Sequence, residues 1–159
     1  MASTYPLPDA AKIKVMLGCL FDGLEVKPGK KFDITPSSGS WVALYVTDES
    51  KPAALCVADG PLAANSSAAL SMLPPNTAKD AIKSKDLPSA MVANLREIMN
   101  ICSRLLMTDS SPHLRLAALH AVKSMPADLS AVIGSAHNRF DFEIQVPKYG
   151  VGNLAFIST

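Results

Sequence analysis

The stretch from Pro88 to Leu106 constrains the fold most, because it is the longest segment that shows a single helical pattern. Its apolar residues recur at alternating spacings of four and three, which is typical of a helix that lies on a core. These apolar residues are Met91, Leu95, Ile98, Cys102 and Leu105. The pattern therefore predicts one long amphipathic helix with a polar outer face.

The polar face of this helix holds an acid and an amide that are three residues apart. Glu97 and Asn100 are therefore neighbours and both point away from the apolar stripe. Asparagine has only middling helix propensity and competes for backbone hydrogen bonds. The pair is a candidate functional site, and the alternative is an ordinary solvated face. Arg96 and Arg104 lie on the same polar side.

Composition excludes several classes of protein. The chain has 159 residues, of which 48% are hydrophobic and 18% charged, so we expect a globular chain with one domain over residues 1–159. The net charge is +1 and no basic run is present, which argues against nucleic-acid binding. The apolar run Val15–Phe21 is too short to span a membrane, and we interpret it as part of a buried amphipathic helix.

The cysteines and histidines show no metal-binding pattern. Cys19, Cys56 and Cys102 are far apart and odd in number, so we predict reduced core thiols in a cytoplasmic protein. Cys102 lies on the apolar stripe and is expected to be inert, because burial raises the pKa of a thiol. The histidines are interpreted as surface or turn residues: His113, His120 and His137.

The other segments predict alternating groups of helices and strands. Helices are predicted at Ala10–Leu24 and Gly60–Leu73, and the polar segment Asn76–Leu87 has room for one loose helical turn. Strands are predicted at Trp41–Thr47, Ala53–Ala58, Leu129–Ile133, Arg139–Val146 and Leu154–Ser158, with one more at either Leu24–Val26 or Lys31–Ile34. Leu114–Val122 fits either a strand or a short helix, and we favour a strand. We predict turns at residues 135–138 and at Tyr149–Asn153.

The segment Arg139–Val146 alternates strictly, which predicts a strand with one buried face and one wet face. The predicted buried set is Phe140, Phe142, Ile144 and Val146, and the predicted wet set is Arg139, Asp141, Glu143 and Gln145. Grouped helices and strands joined by turns favour an α+β fold, with a mainly antiparallel sheet and long helices packed on one face. The order also suggests a doubled helix-plus-strands unit, led first by Ala10–Leu24 and then by Pro88–Leu106.

Familiar catalytic motifs are absent from the sequence. It contains no glycine-rich phosphate loop, no nucleophile elbow and no zinc-protease motif. If the chain acts on a bond, we expect it to use a positioned polar side chain together with chemistry borrowed from a partner.

The segment Glu97-Ile98-Met99-Asn100 resembles the E-x-x-N motif of the CheC/CheX/FliY family of chemotaxis phosphatases, in particular its CheX-like members. The junction Gly23–Lys30 and the order of elements from Trp41 to Leu87 are also similar to that family. The first helix has no second E-x-x-N, so the resemblance implies one site per chain. It also implies a CheC/CheX-like fold.

The resemblance implies a phosphatase that acts on the aspartyl phosphate of a response-regulator receiver domain. Asn100 would orient the attacking water and Glu97 would dock the receiver. No cofactor of the chain's own is implied, because Mg²⁺ would be supplied by the receiver. Our own inference adds that Arg96 and Arg104 contact the acidic rim of the receiver.

Other interpretations remain open. A non-catalytic adaptor or binding module in chemotaxis or two-component signalling, related to flagellar switch proteins, is favoured by Ala93 and Arg96. The family often has Ser or Asp at the first of these positions and a small residue at the second. An unrelated α+β domain that only dimerises is the third interpretation. CheX-like proteins pair through strand edges, so a homodimer is expected through the edge beside Arg139–Val146.

Overall fold

The computed structural model describes residues 5–136 and 138–158. The helices are α1 (Ala10–Gly18), α2 (Gly60–Leu70), α3 (Pro75–Ser84), α4 (Ser89–Cys102) and α5 (Ala127–Ser135). The strands are β1 (Glu25–Pro28), β2 (Trp41–Val46), β3 (Pro52–Ala58), β4 (Arg115–Ala121), β5 (Asn138–Val146) and β6 (Gly150–Ser158). Short 3-10 turns follow α4 at Ser103–Leu106 and β4 at Val122–Ser124.

The described strands form one antiparallel sheet in the order β1-β5-β6-β3-β2-β4. The first half of the chain contributes the hairpin β2–β3 and the second half contributes β5–β6, and these hairpins meet at the centre through β3 and β6. The first strand of each half pairs with the hairpin of the other half: β1 pairs with β5, and β4 pairs with β2. If β1–β3 are exchanged with β4–β6, the strand order of the sheet stays the same. The two halves therefore form the doubled helix-plus-strands unit that the sequence suggested.

Helices cover both faces of this sheet, with the larger core on one of them. The apolar sides of α1, α2 and α4 pack on one face, together with Tyr45, Cys56 and Phe156. The other face packs against α5 through Leu129. The predicted α+β architecture, with long helices on one face of an antiparallel sheet, is therefore confirmed.

Two segments of the chain are more helical than predicted. The polar stretch after Leu73 forms a complete helix, α3, because Ala78 and Ala81 pack against the small residues of α2. The predicted strand Leu129–Ile133 lies inside α5, where Leu129 is buried and Ile133 half-buried. A short apolar run has too few residues for the spacing of its apolar side chains to distinguish a helix from a strand.

Strand β5 forms where it was predicted, but its two faces differ from the prediction. Phe140 is 53% exposed, whereas the side chains of Arg139 and Asp141 are 9% and 5% exposed. Residues 29–34 form no strand and lie over that part of β5. Arg139 Nη2 donates to the Phe32 carbonyl at 2.7 Å, and the Phe32 N–H donates to Asp141 Oδ2 at 3.1 Å. A nearly buried ion pair at 2.7 Å between Arg139 and Asp141 therefore replaces the expected wet surface.

The edge expected to be free beside Arg139–Val146 is covered, because β5 lies between β1 and β6. In the described sheet the outer strands are instead β1 and β4. The short strand is Glu25–Pro28, close to the first of the two predicted alternatives and not at Lys31–Ile34.

The turn between the last two strands comes earlier than predicted. The chain turns at residues 147–149, and β6 already begins at Gly150. Gly152 is a buried strand residue, and a Cβ atom there would overlap the Leu62 backbone of α2. This glycine therefore permits the close approach of a helix to the sheet.

The cysteines are only partly as expected. Cys56 and Cys102 are buried free thiols, but Cys19 is exposed at the end of α1, which corrects the prediction of three core thiols. Burial raises the pKa of the Cys56 thiol well above its ordinary value. Across residues 5–136 and 138–158 no helix has both the length and the apolarity needed to cross a membrane.

Candidate functional site

Helix α4 and the 3-10 turn that follows it occupy the predicted helical stretch Pro88–Leu106. Pro88 directly precedes the first turn of the helix, a position compatible with its fixed backbone angle. The buried side is formed by Met91, Leu95, Ile98, Met99 and Cys102. The predicted stripe is therefore the face of α4 that packs on the sheet.

Glu97 and Asn100 both lie on the solvent side of α4, with unbroken helix between them. At about 100° per residue, Arg96, Glu97 and Asn100 fall within an arc of about 100°. Within the described parts of the chain, none of these side chains makes a hydrogen bond or an ion pair. The acid, the amide and the cation are therefore available to a second molecule.

Tyr45 of β2 fixes this turn of α4 from beneath. Its hydroxyl donates to the Met99 carbonyl at 2.7 Å, although the two residues are 54 positions apart. Burial raises the pKa of Tyr45 well above its usual value, so the hydroxyl stays protonated and can donate. The Ser103 N–H bonds to the Asn100 carbonyl, three residues back, and the helix tightens into the 3-10 turn.

Three further hydrogen bonds hold α4 in place around the candidate pair. Asn94 Nδ2 donates to the Ser67 carbonyl at 2.9 Å and to Ser71 Oγ at 2.6 Å, which ties α4 to α2. Ser103 Oγ donates to the Asn100 carbonyl at 2.7 Å. The backbone that presents Glu97 and Asn100 is thus held on both sides of the pair.

Arg104 stands apart from the other predicted residues. It lies in the 3-10 turn, one turn beyond Asn100, and lines a groove of about 760 Å³ between α1 and the end of α4. It is exposed and, among the residues that the structure describes, has no acidic partner. The surface around the amide therefore has two cations and one carboxylate.

Sequence reasoning missed Tyr45 and Asn94 as residues that position the site. Tyr45 was predicted only as a strand residue, because its partner on α4 is distant in sequence. Asn94 had one local signal, since it lies three residues before Glu97 on the same helix.

The described residues contain no group of three or more His, Cys, Asp and Glu side chains arranged to hold a metal ion. His113 is exposed, with Nδ1 at 3.2 Å from Asp48 Oδ1, and His120 is half-buried in β4. His137, the third predicted surface or turn histidine, lies outside the described residues.

The two-fold arrangement of hairpins, with α1 and α4 on one face of the sheet, defines the class of fold. Solved structures with this fold include the FliM middle domain from H. pylori, with a TM-score of 0.55 at 8% sequence identity. That comparison covers 94% of this chain and 84% of the other. FliY from Thermotoga maritima gives a TM-score of 0.52 at 13% identity, covering 94% and 82%.

The chain therefore has the fold of the CheC/CheX/FliY family, as its E-x-x-N segment led us to expect. A looser similarity, with a TM-score of 0.43 at 10% identity, is to the CheX–CheY–BeF₃–Mg²⁺ complex from Borrelia burgdorferi, covering 93% of this chain and 90% of that one. No protein-family model and no curated protein sequence matches the chain.

Proposed function

We propose that this chain is a phosphatase for the aspartyl phosphate of a response-regulator receiver domain. The observation that carries the proposal is the placement of Glu97 and Asn100, exposed and unbonded on one rigidly held turn of α4. The resemblance of this segment to the E-x-x-N motif, on the fold in which that motif occurs, supports the same conclusion.

Asn100 is the residue that would act on the phosphoryl group. Its amide carbonyl accepts a hydrogen bond from a water molecule while its NH₂ donates elsewhere, so that the water is held in line for attack on phosphorus. The new P–O bond forms as the bond between phosphorus and the aspartate oxygen breaks, which releases phosphate and a free carboxylate. Positioning supplies most of the catalysis in phosphoryl transfer, so one amide can suffice.

The charged residues around Asn100 would dock the partner. Glu97 would form an ion pair with a lysine of the receiver and so set the register of the helix. Arg96 and Arg104 would contact the acidic rim of the receiver. Mg²⁺ would be held by the receiver, so the chain needs no cofactor of its own.

The test is dephosphorylation of receiver domains from the same organism after phosphorylation with acetyl phosphate. We expect Asn100→Ala to lower kcat by about 10²–10³-fold, the loss typical of removing one positioned polar group, while receiver affinity is retained. Asn76→Ala is the matched control, because Asn76 is also an exposed helical asparagine but belongs to α3. Unchanged turnover in Asn100→Ala would overturn the mechanism.

A non-catalytic adaptor on the same fold is the second candidate. It is favoured by Arg96, a bulky exposed cation beside the pair, and by Ala93, which is also exposed and has no hydrogen-bonding side chain. An adaptor would bind a phosphorylated receiver without releasing phosphate, so measuring binding and turnover on the same sample separates the two functions.

A receiver partner would place the chain in the cytoplasm, and a homodimer remains part of the proposal. Since β1 covers β5, the longer free edge of the described sheet is β4. A dimer through that edge predicts that Ala117→Lys, which adds charge to an exposed β4 residue, yields monomers in sedimentation equilibrium. Monomeric wild-type protein would exclude this dimer.

A further inference from the structure

An open, mainly apolar groove lies between α1 and the end of α4, close to the candidate pair. Its volume is about 760 Å³. Its large apolar lining residues are Val15, Met16, Leu20, Ile101, Leu105 and Met107. An apolar centre surrounded by polar residues is the usual layout of a protein–protein interface.

Val15 is the most exposed residue of that lining. Val15 is 74% exposed in the middle of α1, where Ile13 and Leu17 face the core. A β-branched residue is not a preferred choice for an exposed helix position, because it loses rotamer freedom there. Val15 therefore adds little to α1 itself, but it supplies apolar contact area at the mouth of the groove.

The rim of the groove carries positive charge. Lys12 and Arg104 both line it, and neither has an ion-pair partner among residues 5–136 and 138–158. The one carboxylate in the lining, Asp9, already caps α1 by accepting from the Lys12 N–H at 2.8 Å. The groove therefore suits an apolar segment flanked by carboxylates.

Along α4, the groove begins at the residue that follows Asn100. Ile101 directly follows Asn100 and lines the groove, and Arg104 lies one turn further along the same side. A protein large enough to cover Glu97 and Asn100 would therefore also lie against the groove.

We propose that the receiver domain that meets Glu97 and Asn100 also inserts an apolar, acid-flanked segment into the groove between α1 and α4. This inference rests on the proposed function and adds that binding and turnover depend on different residues. The groove sets affinity and the choice among receivers, whereas Asn100 sets turnover.

The test compares two substitutions at one position. Val15→Glu and Val15→Lys both remove the apolar side chain, but only the glutamate would repel an acid-flanked segment. Met72→Glu is the control, because Met72 is 87% exposed just after α2 and does not line the groove. Binding is measured by titration calorimetry with receiver domains of the same organism, activated with beryllofluoride and Mg²⁺.

We expect Val15→Glu to raise the Kd by about tenfold or more, Val15→Lys by a clearly smaller factor, and Met72→Glu to leave it unchanged. In turnover assays the Val15 variants would raise KM with kcat retained. Equal Kd values for the wild type and Val15→Glu would overturn the inference, as would equal weakening by Met72→Glu.

The two proposals fail in different ways. If Asn100→Ala abolishes turnover while Val15→Glu binds normally, the phosphatase stands and the groove has no docking role. If Val15→Glu weakens binding but no receiver is dephosphorylated, the groove stands and the phosphatase is wrong. If no receiver binds the wild type, both are wrong.

Discussion

Tyr45 supports from beneath the face of α4 that carries Glu97 and Asn100, although its own side chain is buried. Its hydroxyl is buried and bonded to the Met99 carbonyl at 2.7 Å, in the helical turn that carries Glu97 and Asn100. A buried carbonyl that loses its donor keeps the full cost of its desolvation. The position of the candidate pair therefore depends on a residue 54 positions earlier in the chain.

We expect Tyr45→Phe to lower the free energy of unfolding by about 1–2 kcal/mol, as measured by urea denaturation, and to reduce turnover in the proposed phosphatase reaction. Tyr149→Phe is the matched control, because that hydroxyl donates to the Leu73 carbonyl at 2.6 Å, away from Glu97 and Asn100. It should lose stability but keep kcat. A Tyr45→Phe protein with wild-type stability would contradict the role assigned to this hydrogen bond.

At the scale of elements, the approach of α2 to β6 shows how a single residue sets the distance between a helix and a sheet. Gly152 lies directly beneath Leu62, where a Cβ atom would overlap the helix backbone. Asp59 reinforces this contact, because its Oδ1 accepts from both the Leu62 N–H at 2.9 Å and the Asn153 N–H at 3.0 Å. The start of α2 is thereby joined to the strand that it covers.

We expect Gly152→Ala to destabilise the fold by about 3 kcal/mol, because backbone and not a flexible side chain would have to move. Gly18→Ala is the control: nothing lies within 4 Å of its added Cβ, and alanine in a helix should stabilise by up to about 1 kcal/mol. Thermal or urea unfolding measures both changes. Equal stability of Gly152→Ala and the wild type would show that α2 can shift freely on the sheet.

At the scale of the whole molecule, buried protonated groups in the large core make the free energy of unfolding fall at alkaline pH. Burial raises the pKa of Cys56 well above 9.0 and that of Tyr45 well above 10.0. Above these ordinary values the unfolded chain loses protons that the folded chain keeps. The unfolded state is then favoured as the pH rises, and the stability is present in full only below about pH 9.

We expect the free energy of unfolding to fall above pH 9 by up to about 1.4 kcal/mol per pH unit for Cys56, and more steeply above pH 10 when Tyr45 also contributes. Urea titrations between pH 8 and pH 11 measure this slope. Cys56→Ala should remove the fall between pH 9 and pH 10. If the free energy of unfolding of that variant fell with the same slope, the loss of stability at alkaline pH would come from other groups.

The sequence determined the class of the fold, because helical and strand patterns occur in groups that are joined by turns. It also determined the outward placement of Glu97 and Asn100, which follows from the periodicity of one segment. The apolar stripe of α4 correctly predicted that the opposite, polar face lies in solvent. The alternation of apolar and polar residues in β5 correctly predicted a strand. Such patterns involve residues that are close together in the sequence, so they show which side of a single element is apolar.

Only the tertiary structure decided what covers each element. Residues 29–34 bury Arg139 and Asp141, whereas Phe140 is left 53% exposed. β1 occupies the edge of β5 that was expected to be free, and Tyr45 reaches the Met99 carbonyl from another strand. These contacts join segments that are far apart in sequence, and a local pattern contains no information on which segment will lie over it.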